Sequence, residues 1–470
     1  MNIFSQKKKN NLALIKSISG IRGTIGGNAG ENLTPQDIVE CTAGFGAWLL
    51  QDGKAPKVVI GRDGRISGQL VSNLVTNTLL GLGIDVIDLG LSTTPTVEMA
   101  VIWEGAGAGI IITASHNPKE WNALKLLNDK GEFISKADGE AFLQLLSEGS
   151  IRYAEVDQLG TYTEGSGYIE RHIEAILDLP LVDVEAIRDK RFKVVVDAIN
   201  STGAISVPPL LAKLGCEVIV LNGEVTGEFA HNPEPLPKHL LDLSLTVKNE
   251  EADLGISIDP DVDRLAFVSE NGDMFGEEYT LVAIADYVLQ HNPGDTVSNL
   301  SSSRALRDVT QQHGGTYHAS AVGEVNVVTK MKKVNAVIGG EGNGGIIVPE
   351  LHYGRDALAG IALFLSHLAK AGKTMSELRA TYPTYAMVKD KIALTPEVDM
   401  EGLLQGLQEK YKDEDYNTID GLKIDFADGW VHLRKSNTEP IIRVYAEHNS
   451  EDDAQALVNQ LKSDAQELIK

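Results

Sequence analysis

Three α/β domains and a final α+β domain are what this sequence predicts, and three observations carry the expectation. The chain has 470 residues, well beyond the ~100–150 that one ordinary domain uses. A short apolar strand, a Gly-rich or polar loop and a helix-period segment recur along most of its length. Beyond residue 380 that rhythm gives way to a different one.

The strands and their loops come in order. Lys57–Ile60 precedes GRDGRISG (Gly61–Gly68), and Gly109–Thr113 precedes ASHNP (Ala114–Pro118). Phe192–Val196 leads into DAINSTG (Asp197–Gly203), Leu254–Ile258 into DPDVDR (Asp259–Arg264), and Ala336–Ile338 into GGEGNGG (Gly339–Gly345). Between them lie amphipathic stretches with helical spacing, such as Gln69–Leu82 and Gly139–Leu146. Strand–helix alternation argues largely parallel pairing, with the polar loops at the C-terminal ends of strands, where α/β proteins build their sites. The rhythm breaks in a polar segment at Gly160–Gly167 and again near Pro383. The expected units are therefore 1–155, 156–265, 266–380 and 381–470. The last reads as helix, a strand pair around Leu422–Leu433, the strand Ile441–Glu447 and a closing helix from Asp452.

Composition narrows the function. Hydrophobic residues make up 43% and charged residues 23%, ordinary for a globular protein. With 42 basic and 66 acidic residues the formal charge is −24. An acidic surface argues against nucleic acid and anionic membrane as partners, though a local basic cluster can still bind a small anion. Cys41 and Cys216 are the two cysteines, too few for a disulfide framework or zinc site, so free thiols in a reducing compartment are expected. The N-terminal lysine run, Lys7–Lys9, reads as a solvated tail. No apolar run reaches the ~20 residues of a membrane span. The expectation is a cytoplasmic protein, monomer or homodimer.

Two loops carry the strongest chemistry. In ITASHNPKEWNALK (Ile112–Lys125) a strand delivers Ser115 into a turn stopped by Asn117-Pro118. A serine held there suits a nucleophile or phosphate ligand, with His116 and Lys125 placed to handle its proton. The same residues also suit a serine that caps a turn. DPDVDR sets Asp259, Asp261 and Asp263 at alternate positions after a strand, with Arg264 next. Such carboxylates repel one another unless a hard cation neutralises them, and oxygen ligands select Mg²⁺, Ca²⁺ or Mn²⁺. An EF-hand would need glycine where Arg264 stands. A phosphatase with Asp259 as nucleophile and a plain acidic turn remain alternatives.

Three further loops are less specific alone. GEGNGG (Gly340–Gly345) formally fits a dinucleotide fingerprint, but Ile346-Ile347-Val348-Pro349 starts no helix. Glu341 and Asn343 could instead meet sugar hydroxyls. RKSNTEPIIR (Arg434–Arg443) offers a phosphate cradle of arginines, hydroxyls and an amide. SGIRG (Ser19–Gly23) places Arg22 between glycines that let a ligand approach, whereas pairing with acidic residues is the expected fate of Arg62 and Arg65.

As a set and in this order, SGIRG, TASHNP, DPDVDR, GEGNGG and RKSNTEP resemble the α-D-phosphohexomutase superfamily, from Ser19 to Glu447. That superfamily contains phosphoglucomutases, phosphomannomutases and phosphoglucosamine mutases. The resemblance implies four domains around a central cleft, three of them similar α/β units with mixed sheets between helices. It implies phosphoryl transfer between O1 and O6 of a hexose phosphate through a hexose 1,6-bisphosphate, which also serves as activator. Ser115 would be the phosphoserine, binding Mg²⁺ with Asp259, Asp261 and Asp263. Arg22, Lys125 and Arg264 would surround the transferring group, with His116 beside it. Glu341 and Asn343 would read sugar hydroxyls, and Arg434, Ser436, Asn437, Thr438 and Arg443 would hold the other phosphate. Many members read G-E-x-S-G-H in the sugar loop, where this chain has Asn343 and Gly345 in place of Ser and His. The GIRG loop resembles the glucosamine branch; DPDVDR and SNTEP are closer to others. The balance leans to glucosamine phosphate, with glucose and mannose phosphates beside it.

Overall fold

The computed structural model describes residues 14–17, 20–149, 151–393, 399–435 and 441–469. The lysine run and the expected phosphate-loop residues Ser436, Asn437 and Thr438 lie outside them. Helices start where local chemistry directs. Thr34 caps the helix Pro35–Gln51 in a capping box with Asp37, and Pro35 takes the first turn, where a missing N–H costs nothing. Strands form where apolar residues run together, as in the fully buried Ala108–Ile112 and Leu254–Ile258.

Four sheets result. The first is ordered Ile15–Ser17, Gly20–Thr24, Trp121–Leu127, Ala108–Ile112, Lys57–Arg62, Asp85–Leu91, Tyr162–Glu164. The second runs Leu265–Ser269, Leu254–Ile258, Lys193–Asp197, Glu217–Leu221; the third runs Tyr317–Ser320, Thr296–Asn299, Ile338–Glu341, Gly345–Ile347. All three share one device. Parallel strands supply the body, and the strand leading into the functional loop pairs antiparallel with the strand leaving it. The largely parallel pairing that strand–helix alternation suggested holds for the body strands, and the mixed sheets implied by the resemblance are present. Each loop is too short for the crossover that a parallel neighbour requires. Likewise GGEGNGG is no free loop: Gly339, Gly340 and Glu341 finish one strand, Gly345 begins the next, and Gly344 turns between them at φ +83°.

The fourth sheet is antiparallel, ordered Ala386–Ala393, Ile441–His448, Gly429–Lys435, Leu422–Asp425, Asp415–Asn417. Its two outer strands went unread in the sequence. Ala386–Ala393 carries Lys389, Asp390 and Lys391, the charged pattern of an edge strand rather than an apolar alternation.

One hydrophobic core serves the second and third sheets together, with Phe267 stacked on Phe364 at 4.0 Å between ring centroids. The helix Ala357–Ala371 runs through it and is buried on nearly every side, as an all-apolar helix must be. The C-terminal sheet has a separate core. Among the described residues no helix is long and apolar enough to cross a membrane.

Candidate active site

Ser115 sits just past Ala108–Ile112 in the left-handed region, at φ 49°. A non-glycine residue costs about 1–2 kcal/mol there, so the turn needs support. Arg65 provides it. Its guanidinium, fully buried and paired to Asp63 at 3.0 Å, donates to the carbonyls of Ser115 (2.5 Å), Asn117 (2.7 Å), Pro118 (2.8 Å) and Trp121 (2.9 Å). Thr113 Oγ1 donates to Asp63 Oδ2 at 2.7 Å and accepts from Ser115 N at 2.9 Å. The expected pairing of Arg65 with an acidic residue is present and also clamps the serine loop.

Facing it, the loop after Leu254–Ile258 turns at Val262, φ 63°. Ser201 and Thr202 hold the carbonyl of Pro260, and Thr94 N donates to the carbonyl of Asp261 at 2.9 Å. One oxygen of each aspartate is held by groups other than the serine. Asp259 Oδ1 accepts from the backbone of Asp263 and Arg264. Asp261 Oδ2 accepts from Thr94 Oγ1 and Lys125 Nζ, both at 2.6 Å. Asp263 Oδ2 accepts from Lys125 Nζ and Arg355 Nη2, both at 2.8 Å. The remaining oxygens define the site. Asp261 Oδ1 and Asp263 Oδ1 are buried without a hydrogen-bond partner, and Asp259 Oδ2 accepts from Ser115 Oγ at 2.5 Å. Ligand oxygens from the three aspartates lie within 4.8 Å of one another. Unmet buried carboxylate oxygens are costly, and an all-oxygen set fits a hard divalent cation such as Mg²⁺.

Charge is divided unevenly here. Burial, with Asp263 and Asp261 beside it, pushes Asp259 well above the carboxylate range. Burial acts the same way on Asp263, but Arg355, Lys125 and Arg264 outweigh it and hold that carboxyl well below. Burial would also lower Lys125, yet Asp261 and Asp263 keep it above the ordinary lysine range. His116 Nδ1 lies 3.4 Å from Ser115 Oγ. Burial, then Arg264, pushes His116 down to about 2, so its ring is neutral at pH 7. Burial and the nearby charge of Arg264 lower Arg22, whose Nη1 reaches Asn117 Oδ1 at 3.5 Å. Two guanidiniums that repel each other beside a serine make a place for an anion.

Sequence reasoning named Ser115, His116, Lys125, Arg22, the three aspartates and Arg264, and the structure brings these together. Glu341 is joined to them indirectly through Arg355, which bonds its Oε2 at 3.0 Å. Asn343 bends back to Gly345 N at 3.2 Å. Arg434 and Arg443 face each other across neighbouring strands of the C-terminal sheet, with Arg434 Nε 3.9 Å from Asp420 Oδ2 and Arg443 Nη1 donating to Tyr445 Oη at 3.4 Å. Reasoning missed Arg355, Glu324, and the buried junction of Glu98, His172, His352 and Asp356. The available signal was GRDALAG (Gly354–Gly360), an Asp capping a long apolar helix with an Arg just before it.

A serine in a supported strained turn, carboxylates with oxygens left for a cation and guanidiniums placed for an anion form a site able to take a divalent cation and a phosphate side by side. Comparison with known proteins is specific. Family descriptions for phosphoglucomutase/phosphomannomutase match in chain order: alpha/beta/alpha domain I at residues 14–150, domain II at 170–272, domain III at 276–385 and the C-terminal domain at 388–463. A phosphoglucomutase/phosphomannomutase of Thermococcus kodakarensis is 37% identical over 439 residues, 92% of this chain and 95% of that one. A probable phosphoglucosamine mutase of Methanopyrus kandleri is 36% identical over 445 residues, 93% and 95% of the two chains. The crystal structure of a phosphoglucomutase/phosphomannomutase family protein from Burkholderia thailandensis superposes with a TM-score of 0.84 at 25% identity, covering 98% of each chain. The chain belongs to the phosphoglucomutase/phosphomannomutase family of phosphohexomutases.

Proposed function

We propose that this phosphohexomutase interconverts glucosamine 1-phosphate and glucosamine 6-phosphate through a phosphorylated Ser115. The observation that carries the chemistry is the hydrogen bond from Ser115 Oγ to Asp259, beside the unpartnered oxygens of Asp261 and Asp263. Asp259, Asp261, Asp263 and the serine-borne oxygen would hold Mg²⁺, which when bound neutralises charge on the phosphoryl oxygens. Arg22 and Arg264 flank the transferring group, and Lys125 holds Asp261 and Asp263 in place. In the forward half-reaction the P–Oγ bond of phospho-Ser115 breaks. A bond forms from phosphorus to the free sugar hydroxyl, whose proton ends on the Oγ that Ser115 regains, so the half-reaction is balanced. The hexose 1,6-bisphosphate then turns round and returns its other phosphate to Ser115. In this reading Glu341 and Asn343 meet sugar hydroxyls, and Arg434, Ser436, Asn437, Thr438 and Arg443 hold the phosphate not being transferred. Similarity to several proteins named phosphoglucosamine mutase supports the amino sugar. The 37% identity to a phosphoglucomutase/phosphomannomutase supports a second reading, glucose and mannose phosphates.

The test is ³¹P NMR with Mg²⁺, a trace of hexose 1,6-bisphosphate and glucosamine, glucose or mannose 1-phosphate in separate tubes. A growing 6-phosphate signal without free phosphate is expected, fastest for glucosamine. A faster glucose or mannose tube transfers the assignment to the second reading. Release of free phosphate alone overturns the mutase.

A further inference from the structure

Arg355 bonds three carboxylates from three different segments. Nη2 donates to Asp263 Oδ2 at 2.8 Å, Nε to Glu324 Oε2 at 2.8 Å and Nη1 to Glu341 Oε2 at 3.0 Å. Its side chain is 9% exposed. The backbone beneath it is fixed. Asp356, the next residue, caps the buried helix Ala357–Ala371 through Ala359 N and accepts from His172 Nε2 at 2.8 Å and His352 Nε2 at 3.1 Å. The stem of Arg355 crosses Gly345. A Cβ there would come within 2.3 Å of Arg355 Cδ, so the stem keeps this path only beside a glycine.

The consequence lies in which oxygens remain. Arg355 and Lys125 share Asp263 Oδ2, leaving Asp263 Oδ1 directed to the cation position. Glu341 Oε1 accepts from Asn299 Nδ2 at 2.9 Å and Gly323 N at 3.1 Å. A carboxylate has about four acceptor positions, so with Arg355 on Oε2 one is left for a sugar hydroxyl. We propose that Arg355 is a positioning residue that couples cation binding at Asp263 to sugar binding at Glu341. This rests on the reading of those two carboxylates given above. A guanidinium fork holds several carboxylates in fixed directions; a lysine ammonium on a flexible stem retains the charge but not the geometry.

Arg355→Lys, in the full chain, tests this through Mn²⁺ binding followed by EPR, with and without glucosamine 6-phosphate, and through KM and kcat. Outer partners of metal ligands typically govern about 10–100-fold in affinity. Expected are mutual tightening between Mn²⁺ and sugar phosphate in the unaltered protein and, in the variant, Mn²⁺ binding weakened about tenfold or more, a raised KM and loss of that tightening. Gly345→Ala, which displaces the stem and removes no charge, is expected to reduce the same coupling and serves if Arg355→Lys does not fold. Asp263→Asn separates the premises: if it leaves Mn²⁺ binding intact, the metal assignment fails. If Asp263→Asn weakens Mn²⁺ binding while folded Arg355→Lys or Gly345→Ala changes neither affinity nor coupling, the role of Arg355 is overturned.

Discussion

The two sides of the cleft are built by different rules. Around Ser115 a buried polar network fixes the loops: Arg65 clamps the serine turn, Thr94 and Lys125 hold Asp261, and Arg355 holds Asp263. The second and third sheets share one apolar core, and the first is tied to them by Thr94–Asp261 and by Thr96, which bonds His172. The C-terminal sheet instead has its own core and docks through polar groups. Arg304 donates to the carbonyls of Ala427, Phe426 and Gly429, Ser301 meets His432 at 2.9 Å, and Lys389 pairs with Glu277. Polar interfaces permit domain motion more readily than apolar ones. On the function proposed above, one fixed centre would transfer phosphate in both half-reactions, while the C-terminal side would accept the substrate in two orientations.

Three substitutions sharpen or break that contrast. Ser115→Ala should have the largest effect, a kcat loss of roughly 10⁴-fold or more, with sugar-phosphate binding by calorimetry retained. Equal loss of binding would show that the two sides are not separable. Arg304→Ala should act mainly on KM, raising it about tenfold, equivalent to ~1.4 kcal/mol, with a smaller change in kcat. Steady-state kinetics decide, and a collapse of kcat at constant KM would place Arg304 with the transfer side.

The smallest effect concerns stability. His352 lies 3.2 Å from Glu98 and 3.1 Å from Asp356, with His172 on the same carboxylate. Burial opposes its charge, but Asp356 and Glu98 prevail and raise it from 6.5 to about 10. Because the folded value is the higher, the imidazolium's contribution is complete below pH 6.5 and is lost as pH rises toward 10. The Tm gap between the unaltered protein and His352→Gln should therefore narrow across that window in thermal melts; a constant gap would show that the ring is not charged.

The two sides also differed in legibility. Ser115 and the aspartates announced themselves because each follows a short apolar strand and their residue types repel or react unless used. Arg65 and Arg355 did not, because an arginine in a polar loop looks the same whether it meets solvent or four buried carbonyls. Antiparallel return strands after each site loop were hidden for a related reason: pairing direction depends on loop length and on partners distant in sequence. The charged edge strand Ala386–Ala393 lacked the apolar alternation that marks interior strands.

Local chemistry by itself determined the helix caps, the buried strands, the polar loops at their ends and the reactive residues those loops carry, because each depends on neighbours within a few positions. Only the tertiary structure decided which oxygen of each aspartate is occupied, which arginine clamps a loop, and how Gly345 admits Arg355 between the DPDVDR and GEGNGG loops. Those outcomes depend on carboxylates far apart in the chain competing for the same few buried cations.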